Sequence, residues 1–241
     1  MRQAVSERRP SYWPAAIGGG LIGSAVTALV LVALTPQVLA PRIVREGLVR
    51  DPAVLVAASD ALKARQAGAA LAALRPSVET PFASSWKGAA RPTVTMAYFY
   101  DYACGYCRKS NPDIERLLAE DKGLRVVYRE LPILGPDSVA AARVALAASK
   151  AGKFAAFHDA LSARGRPTPE SIAAVANSLS LSPAAAQDPA IEAEIQNNMT
   201  LAGQLGATGT PLFAIGDRVI NSAAGYDALK AAVEAARNPA G

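Results

Sequence analysis

The sequence predicts an α/β domain with a helical insertion, preceded by one membrane-spanning helix and a helical segment. Three observations support this prediction. An uncharged apolar stretch lies near the N-terminus, a β-branched and aromatic run leads into the only two cysteines, and a long alanine-rich region follows them. A chain of 241 residues, of which 51% are hydrophobic, is long enough to bury a full core.

The N-terminal region indicates a membrane anchor. Residues 15–37 carry no charge, and about 20 helical residues span the ~30 Å apolar core of a bilayer. We therefore expect residues 1–14 to form a short cytoplasmic tail and residues 15–37 to form a single transmembrane helix. The alternative is a signal peptide cleaved after Val38-Leu39-Ala40, which would leave a soluble periplasmic protein. The length of the apolar stretch and the proline at position 41 favour the anchor.

Residues 41–85 are predicted to form a helical linker that also mediates self-association. Asp51 and Pro52 are typical of a helix start, with the aspartate as N-cap and the proline at the first helical position. An apolar stripe could pack on the chain's own domain or on copies of itself, and the sequence leaves both open. This narrow stripe is formed by Leu55, Ala58, Leu62 and Ala69.

The two cysteines lie three positions apart between a predicted strand, residues 93–100, and a predicted helix, residues 112–121. A Cys-x-x-Cys pair at such a junction is typical of the redox site of a thioredoxin-like fold. A helix N-terminus stabilises a thiolate, which is the form that attacks disulfides. We therefore predict that Cys104 is an exposed reactive thiol and that Cys107 lies further in.

Three other roles are open to such a pair. The cysteines could be inert core residues, although the start of a helix is a poor core position. They could belong to a structural zinc site, but such a site takes four ligands and His158 is the only histidine. They could also carry Cu(I), which soft thiolates select. We expect neither a metal site nor a cofactor, and we interpret His158 as packing beside Phe154 and Phe157 rather than as a base.

The remaining elements complete the predicted domain. Residues from about 136 to 204 are alanine-rich and are predicted to be helical, with Thr168 capping a helix that Pro169 begins. Pro211 opens a short apolar strand, because proline belongs at a strand start or an edge. A Gly-Asp hairpin signal, a return strand and a closing helix over 226–236 follow. We predict a cis peptide bond between Thr210 and Pro211.

Four blocks of sequence, in the expected order, resemble the DsbA family of thiol–disulfide oxidoreductases. The match extends from about residue 92 to residue 237, and it implies a thioredoxin fold over residues 86–241 with the helical domain inserted at about 136–204. The blocks are residues 99–108, 126–135, 152–161 and 206–211.

The resemblance also implies the site. Cys104 and Cys107 would be the catalytic pair, with Cys104 facing the client protein and Cys107 resolving the mixed disulfide. Their active-site dipeptide is Gly105-Tyr106. Thr210 and Pro211 would form the loop against which an extended client peptide lies.

The linker carries a narrower resemblance. Residues 43–66 are similar to the N-terminal helical segment of ScsC-type proteins. Those are DsbA-like enzymes, some of which oligomerise through that segment and act as isomerases. The resemblance implies a homo-oligomer and leaves oxidation and isomerisation of client disulfides both open.

One position departs from the family pattern. The family often has a carboxylate six residues before the first cysteine, and Tyr98 occupies that position here. A tyrosine is neutral near pH 7 and cannot replace a carboxylate base. Asp101 and Glu130 are candidate substitutes, and the alternative is that each faces solvent or pairs with an arginine.

The net charge and the expected compartment limit the kinds of partner that the protein can have. The net charge is +5, but residues 86–241 contain 16 Lys/Arg and 15 Asp/Glu, so we expect no nucleic acid partner. Disulfide exchange belongs in an oxidising compartment. We expect an inner-membrane protein whose catalytic domain lies in the periplasm. Its partners would be client proteins with thiols or disulfides and a membrane or periplasmic redox partner.

Overall fold

The computed structural model describes residues 44–238. The predicted cytoplasmic tail, transmembrane helix and cleavage site lie outside these residues. Within residues 44–238, no helix has both the length and the apolar character needed to cross a membrane. The described residues divide into two units, with the boundary between Ala61 and Leu62.

The linker is helical. A helix over 44–50 precedes a longer helix, α1 (Ala53–Glu79). The Asp51 carboxylate accepts a hydrogen bond from the Ala53 N–H (3.1 Å), which confirms the predicted N-cap. Val54, Leu55 and Val56 are 53%, 61% and 60% exposed. Because consecutive helical positions are about 100° apart, these side chains point in different directions, and exposed apolar surface extends beyond the predicted stripe.

The described residues include five strands that form one mixed sheet. The strands are β1 (Trp86–Gly88), β2 (Val94–Tyr100), β3 (Leu124–Glu130), β4 (Leu212–Ile215) and β5 (Arg218–Ile220). Their order in the sheet is β1-β3-β2-β4-β5. Strands β2 and β3 are parallel, and every other neighbouring pair is antiparallel. The first strand was not predicted, because three residues are too few to show a periodic pattern.

The helix after the cysteines, α2 (Gly105–Glu120), begins seven residues before the predicted start at Pro112. The proline suggested a first turn, where its missing N–H costs nothing, but it lies inside the helix. The closing helix α7 (Tyr226–Arg237) agrees with its prediction.

The insertion is helical, as predicted. Thr168 caps its third helix, because the Thr168 hydroxyl accepts from the Ser171 N–H and the Ser171 side chain accepts from the Thr168 N–H. A 3₁₀ turn over Pro183–Gln187 precedes the last helix. The four helices are α3 (Pro136–Lys150), α4 (Phe154–Ala163), α5 (Pro169–Ser178) and α6 (Pro189–Gln204).

Alternating side chains of β2 enter two different cores. Tyr98 and Tyr100 pack on the face that α2, α7 and α4 cover. Phe99 packs on the opposite face with Leu71 and Val78 from the C-terminal part of α1. Because both faces are covered, a central strand of this sheet is apolar and aromatic throughout.

A buried arginine joins the end of α1 to the sheet. Arg129 of β3 is 2% exposed, and its guanidinium donates to main-chain carbonyls at the C-terminal end of α1, those of Ser77, Val78 and Thr80. It also forms an ion pair with Glu194 of α6 (2.8 Å). The last turn of α1 therefore supplies the acceptors that this buried cation needs.

Candidate functional site

Cys104 lies at the junction of the central strand and α2, where it is the N-cap residue of the helix. Its main-chain N–H donates to the Asp101 carbonyl (3.0 Å), and its sulfur accepts from the Cys107 N–H (3.4 Å). No disulfide bond joins the two cysteines in this structure. The sulfur thus lies among N–H groups that have no partner within the helix and at the positive end of the helix dipole.

The burial of the pair differs from the prediction. Cys104 is 5% exposed and Cys107 is 2% exposed, so the predicted exposure of Cys104 was wrong, although Cys107 is the more shielded of the two. Gly105 and Tyr106 between them are exposed, and Tyr106 retains 64% of its surface. Reaction partners therefore meet the dipeptide first and must approach Cys104 closely to reach its sulfur.

Cys107 is protonated at neutral pH. Burial is the largest cause that raises the pKa of its thiol to about 12, and the neighbouring Cys104 raises it further. The Asp101 N–H and the Thr210 hydroxyl act in the opposite direction. A thiol attacks disulfides only as its thiolate, so attack by Cys107 requires its proton to leave first.

The loop before β4 faces the Cys104 sulfur. The Thr210–Pro211 peptide bond is cis, which confirms the prediction, and the Cys104 thiol donates to the Thr210 carbonyl (3.3 Å). The Thr210 hydroxyl is buried near the Cys107 thiol, although no hydrogen bond of ordinary geometry joins it to any described residue. A groove of about 380 Å³ adjoins this loop. It is lined by Tyr106, Thr208, Gly209, Thr210, Pro211, Asn221, Ser222 and Ala223.

Asp101 is buried, and its carboxyl group links two loops instead of facing solvent. Its side chain accepts from the N–H groups of Ala103 (2.7 Å), Ile133 (2.9 Å) and Leu134 (2.9 Å). It therefore joins the loop that carries the cysteines to the loop after β3. No basic side chain lies within ion-pair distance of it among residues 44–238, so the predicted alternatives of solvent or an arginine were wrong.

Glu130 is also buried, at 1% exposure, and accepts from the Tyr100 hydroxyl. Burial is the largest cause that raises its pKa well above the usual range, and the nearby Asp101 raises it further while the Tyr100 hydrogen bond lowers it. The second carboxyl oxygen has no partner among the described residues. Burial therefore favours the neutral form of Glu130, whereas the Asp101 carboxyl accepts from three N–H groups.

Tyr98 contacts the second cysteine, which sequence reasoning missed. Its hydroxyl donates to the Cys107 carbonyl (3.1 Å), and Asn111 Oδ1 lies at 3.4 Å as a second acceptor. The alternation of side chains along β2 could have predicted that Tyr98 faces the helix that follows the cysteines. The contact with Cys107 was missed because that helix was predicted to begin at Pro112, whereas α2 begins at Gly105. Burial, and then the Cys107 thiol, raise the Tyr98 pKa well above 10.0.

His158 packs in the core, as the packing hypothesis predicts. It is 1% exposed, and its Nδ1 lies 3.3 Å from the hydroxyls of both Tyr100 and Tyr102. Burial is the main cause that lowers its pKa to about 3, and the positive charge of Lys87 adds to the effect. At neutral pH its ring is uncharged, and its Nδ1 faces both hydroxyls.

Comparisons with known proteins agree with this geometry. The profile of the DSBA-like thioredoxin domain family matches residues 95–234. The fold is similar to that of a thioredoxin-like oxidoreductase from Silicibacter pomeroyi DSS-3, with a TM-score of 0.65 and 36% identity over 69% of this chain and 99% of that chain. It is also similar to Proteus mirabilis ScsC in a transitional conformation, with a TM-score of 0.66 and 27% identity over 83% of this chain and 96% of that one.

The sequence is similar as well to the Na(+)/H(+) antiporter NhaA 1 of Salinispora arenicola, with 29% identity over 157 residues, or 62% of this chain. The match covers only 24% of that antiporter, so the chain spans about a quarter of the length of the curated relatives that it matches.

Proposed function

We propose that this chain, which belongs to the DSBA-like thioredoxin domain family and is a thiol–disulfide oxidoreductase, exchanges disulfides with client proteins through Cys104 and Cys107. The observation that carries the proposal is the position of the Cys104 sulfur. It lies at the N-terminus of α2 and 3.3 Å from the Thr210 carbonyl. A helix N-terminus favours the thiolate that exchange requires.

The oxidising reaction follows from these positions. A client thiolate attacks Cys104 in the Cys104–Cys107 disulfide, so that a client–Cys104 bond forms and the bond between the two protein sulfurs breaks. Cys107 leaves as a thiolate and takes a proton from solvent, because its pKa is raised to about 12. A second client thiolate then attacks the first client sulfur and releases Cys104. Two electrons have passed from the client to the protein dithiol.

Isomerisation uses the same intermediate. The Cys104 thiolate of the reduced protein attacks a client disulfide, which forms the client–Cys104 bond and frees one client thiolate. A different client thiolate then attacks the client sulfur bound to Cys104, forms a new client disulfide and releases Cys104, so no net electrons pass. Where the client offers no such thiolate, Cys107 loses its proton and attacks Cys104, so the protein disulfide forms and the client leaves as a thiolate that takes up a proton, which is a net reduction of the client. The sequence and the site are compatible with both outcomes. The equilibrium constant with glutathione, measured on the purified protein, distinguishes an oxidant from a reductant.

The client segment would lie in the groove beside Thr210 and Pro211. Main-chain groups of an extended peptide pair with such a loop by strand addition. The exposed ring of Tyr106 lines this groove, and the Lys109 ammonium lies 5.7 Å from its ring centroid. These positions support contact between Tyr106 and client residues next to the reacting cysteine.

We propose that the protein lies in the inner membrane with its catalytic domain in the periplasm. The uncharged residues 15–37 and the oxidising chemistry support this location. We also propose self-association through residues 41–61, where Val54, Leu55 and Val56 are more than half exposed. Copies anchored in one membrane would meet at high effective concentration.

A trapping experiment tests the roles of the two sulfurs. In Cys107→Ser, Cys104 still attacks but its mixed disulfide is not resolved, so covalent client adducts should accumulate and disappear with reductant. Cys104→Ser, which keeps the thiol of Cys107, is the matched control and should trap nothing. If the control traps clients and Cys107→Ser does not, the roles are reversed. If neither variant traps and the wild-type dithiol binds Cu(I) tightly, the copper-carrier alternative replaces this proposal.

A further inference from the structure

We propose that Tyr98 is a positioning residue for the resolving step, whose hydroxyl holds the main chain of Cys107 so that its thiol faces Cys104. The inference rests on the proposed roles of the two cysteines. The contact that carries it is the hydrogen bond from the Tyr98 hydroxyl to the Cys107 carbonyl, at 3.1 Å. Residue 107 is thereby held from two sides, since its N–H donates to the Cys104 sulfur (3.4 Å).

The phenol ring is itself fixed in place. Phe213 stacks on it at 4.9 Å between ring centroids and 7° between planes, and Tyr100 stacks at 5.1 Å and 22°. Tyr128, its cross-strand neighbour, meets it edge-on at 5.7 Å. Tyr98 has no exposed surface, so its hydroxyl position is set by the sheet and not by solvent.

The resolving step is the one that depends on this position. Cys107 loses its proton to solvent, and its thiolate attacks the Cys104 sulfur. The Cys104–Cys107 bond forms, the Cys104–client bond breaks, and the client leaves as a thiolate that takes up a proton. The attacking sulfur must lie close to the bond it breaks, so a small displacement of residue 107 costs rate. The earlier attack by Cys104 on an incoming disulfide does not involve the Cys107 sulfur.

Tyr98 acts as a donor and not as a base. Burial, and then the Cys107 thiol, keep its pKa well above 10.0, so the phenol stays neutral at physiological pH. A neutral phenol cannot remove the Cys107 proton. Its part in the step is to fix the carbonyl, and with it the direction of the side chain.

Rapid-quench kinetics with glutathione disulfide separate the two steps. The reduced protein forms the glutathione–Cys104 mixed disulfide in a phase whose rate is proportional to glutathione disulfide concentration. Cys107 then closes the protein disulfide in a phase independent of that concentration. Tyr98→Phe removes one oxygen and keeps the ring. We expect the second phase to slow by about tenfold, the effect of one buried hydrogen bond, while the first phase changes by less than about twofold.

Tyr128→Phe is the matched control. Tyr128 is buried opposite Tyr98 in β3, and its hydroxyl makes no hydrogen bond that the structure records. This variant should leave both phases unchanged. Because both phases are measured on the same molecules, partial unfolding does not mimic a selective loss of the second.

An unchanged second phase in Tyr98→Phe, an equal slowing of both phases, or the same selective loss in Tyr128→Phe would each overturn the inference while leaving the dithiol chemistry intact. If the wild-type protein forms no mixed disulfide with glutathione, the proposed roles of the cysteines fail, and the positioning role of Tyr98 fails with them.

Discussion

The buried histidine predicts acid sensitivity of the folded state. His158 is the chain's only histidine. Burial lowers its pKa from 6.5 to about 3, so the unfolded chain binds a proton at mildly acidic pH and the folded chain does not. A depressed histidine pKa contributes stability above pH 6.5 that is lost as pH falls towards 3. The full loss over that window is about 5 kcal/mol, at about 1.4 kcal/mol per pKa unit.

His158→Asn isolates this contribution. The asparagine side chain offers an acceptor close to the position of Nδ1, but it does not titrate. At pH 7.5 the variant should be less stable by about 1–3 kcal/mol because ring packing is lost. From pH 7.5 to 4.5 the wild type should lose about 2.5 kcal/mol through His158, and the variant should lack that component.

Urea unfolding at several pH values between 7.5 and 4.5 measures the difference. Glu130, which joins the same hydrogen-bonded cluster through Tyr100, is present in both proteins, and so are all surface carboxylates. Their contributions therefore cancel in the comparison to first order. Parallel stability curves for the two proteins across this range would refute the reasoning, and so would a ring that titrates near pH 6.5 by NMR in the folded protein.

Three further outcomes are expected. Asp101→Asn should lower the free energy of unfolding by about 2–4 kcal/mol, because an NH2 group replaces one of the two buried oxygens that accept from three N–H groups. Asp121→Asn, at a partly exposed position, should cost less than about 1 kcal/mol in the same urea titration. Glu130→Gln should gain stability relative to wild type as pH rises from 5 to 8. Because the pKa of Glu130 is raised in the folded state, the wild type loses stability as the unfolded chain ionises over this range, and glutamine does not ionise. A difference in unfolding free energy between the two proteins that stays constant with pH would contradict this prediction. The fragment 41–241 should sediment as an oligomer and the fragment 62–241 as a monomer; a monomeric 41–241 at high concentration would remove the self-association proposal.

Local chemistry predicted much of this fold. The caps at Asp51 and Thr168 depend on a side chain and an N–H two or three residues away, so the sequence contains all the information. The same holds for the hairpin after Pro211 and for the alanine-rich helices. The start of α2 was missed because proline is a local signal for a first turn, whereas cysteine is not among the residues preferred at an N-cap, although the Cys104 sulfur accepts from the Cys107 N–H three residues on.

The sequence did not predict which polar side chains at the site are buried. Asp101 and Glu130 are adjacent to strand ends, where carboxylates usually face water. Asp101 is buried because loop N–H groups distant in sequence, at Ile133 and Leu134, converge on it. The contact between Tyr98 and Cys107 likewise depends on tertiary structure, because it requires a particular rotation and position of α2 relative to β2. Each of these features lies at the site, where tertiary partners and not local patterns determine the environment.

The hydrogen bonds of the Arg129 guanidinium also affect local unfolding at the C-terminal end of α1. Helix ends usually fray, and their amide protons exchange with solvent long before the core does. Opening the last turn of α1 would leave this cation in the core without the carbonyls of Ser77, Val78 and Thr80. That end of the helix should therefore open only together with the central strands. Its slowest-exchanging amides should show the same protection as those of β3, although the turn lies at the edge of the domain in sequence.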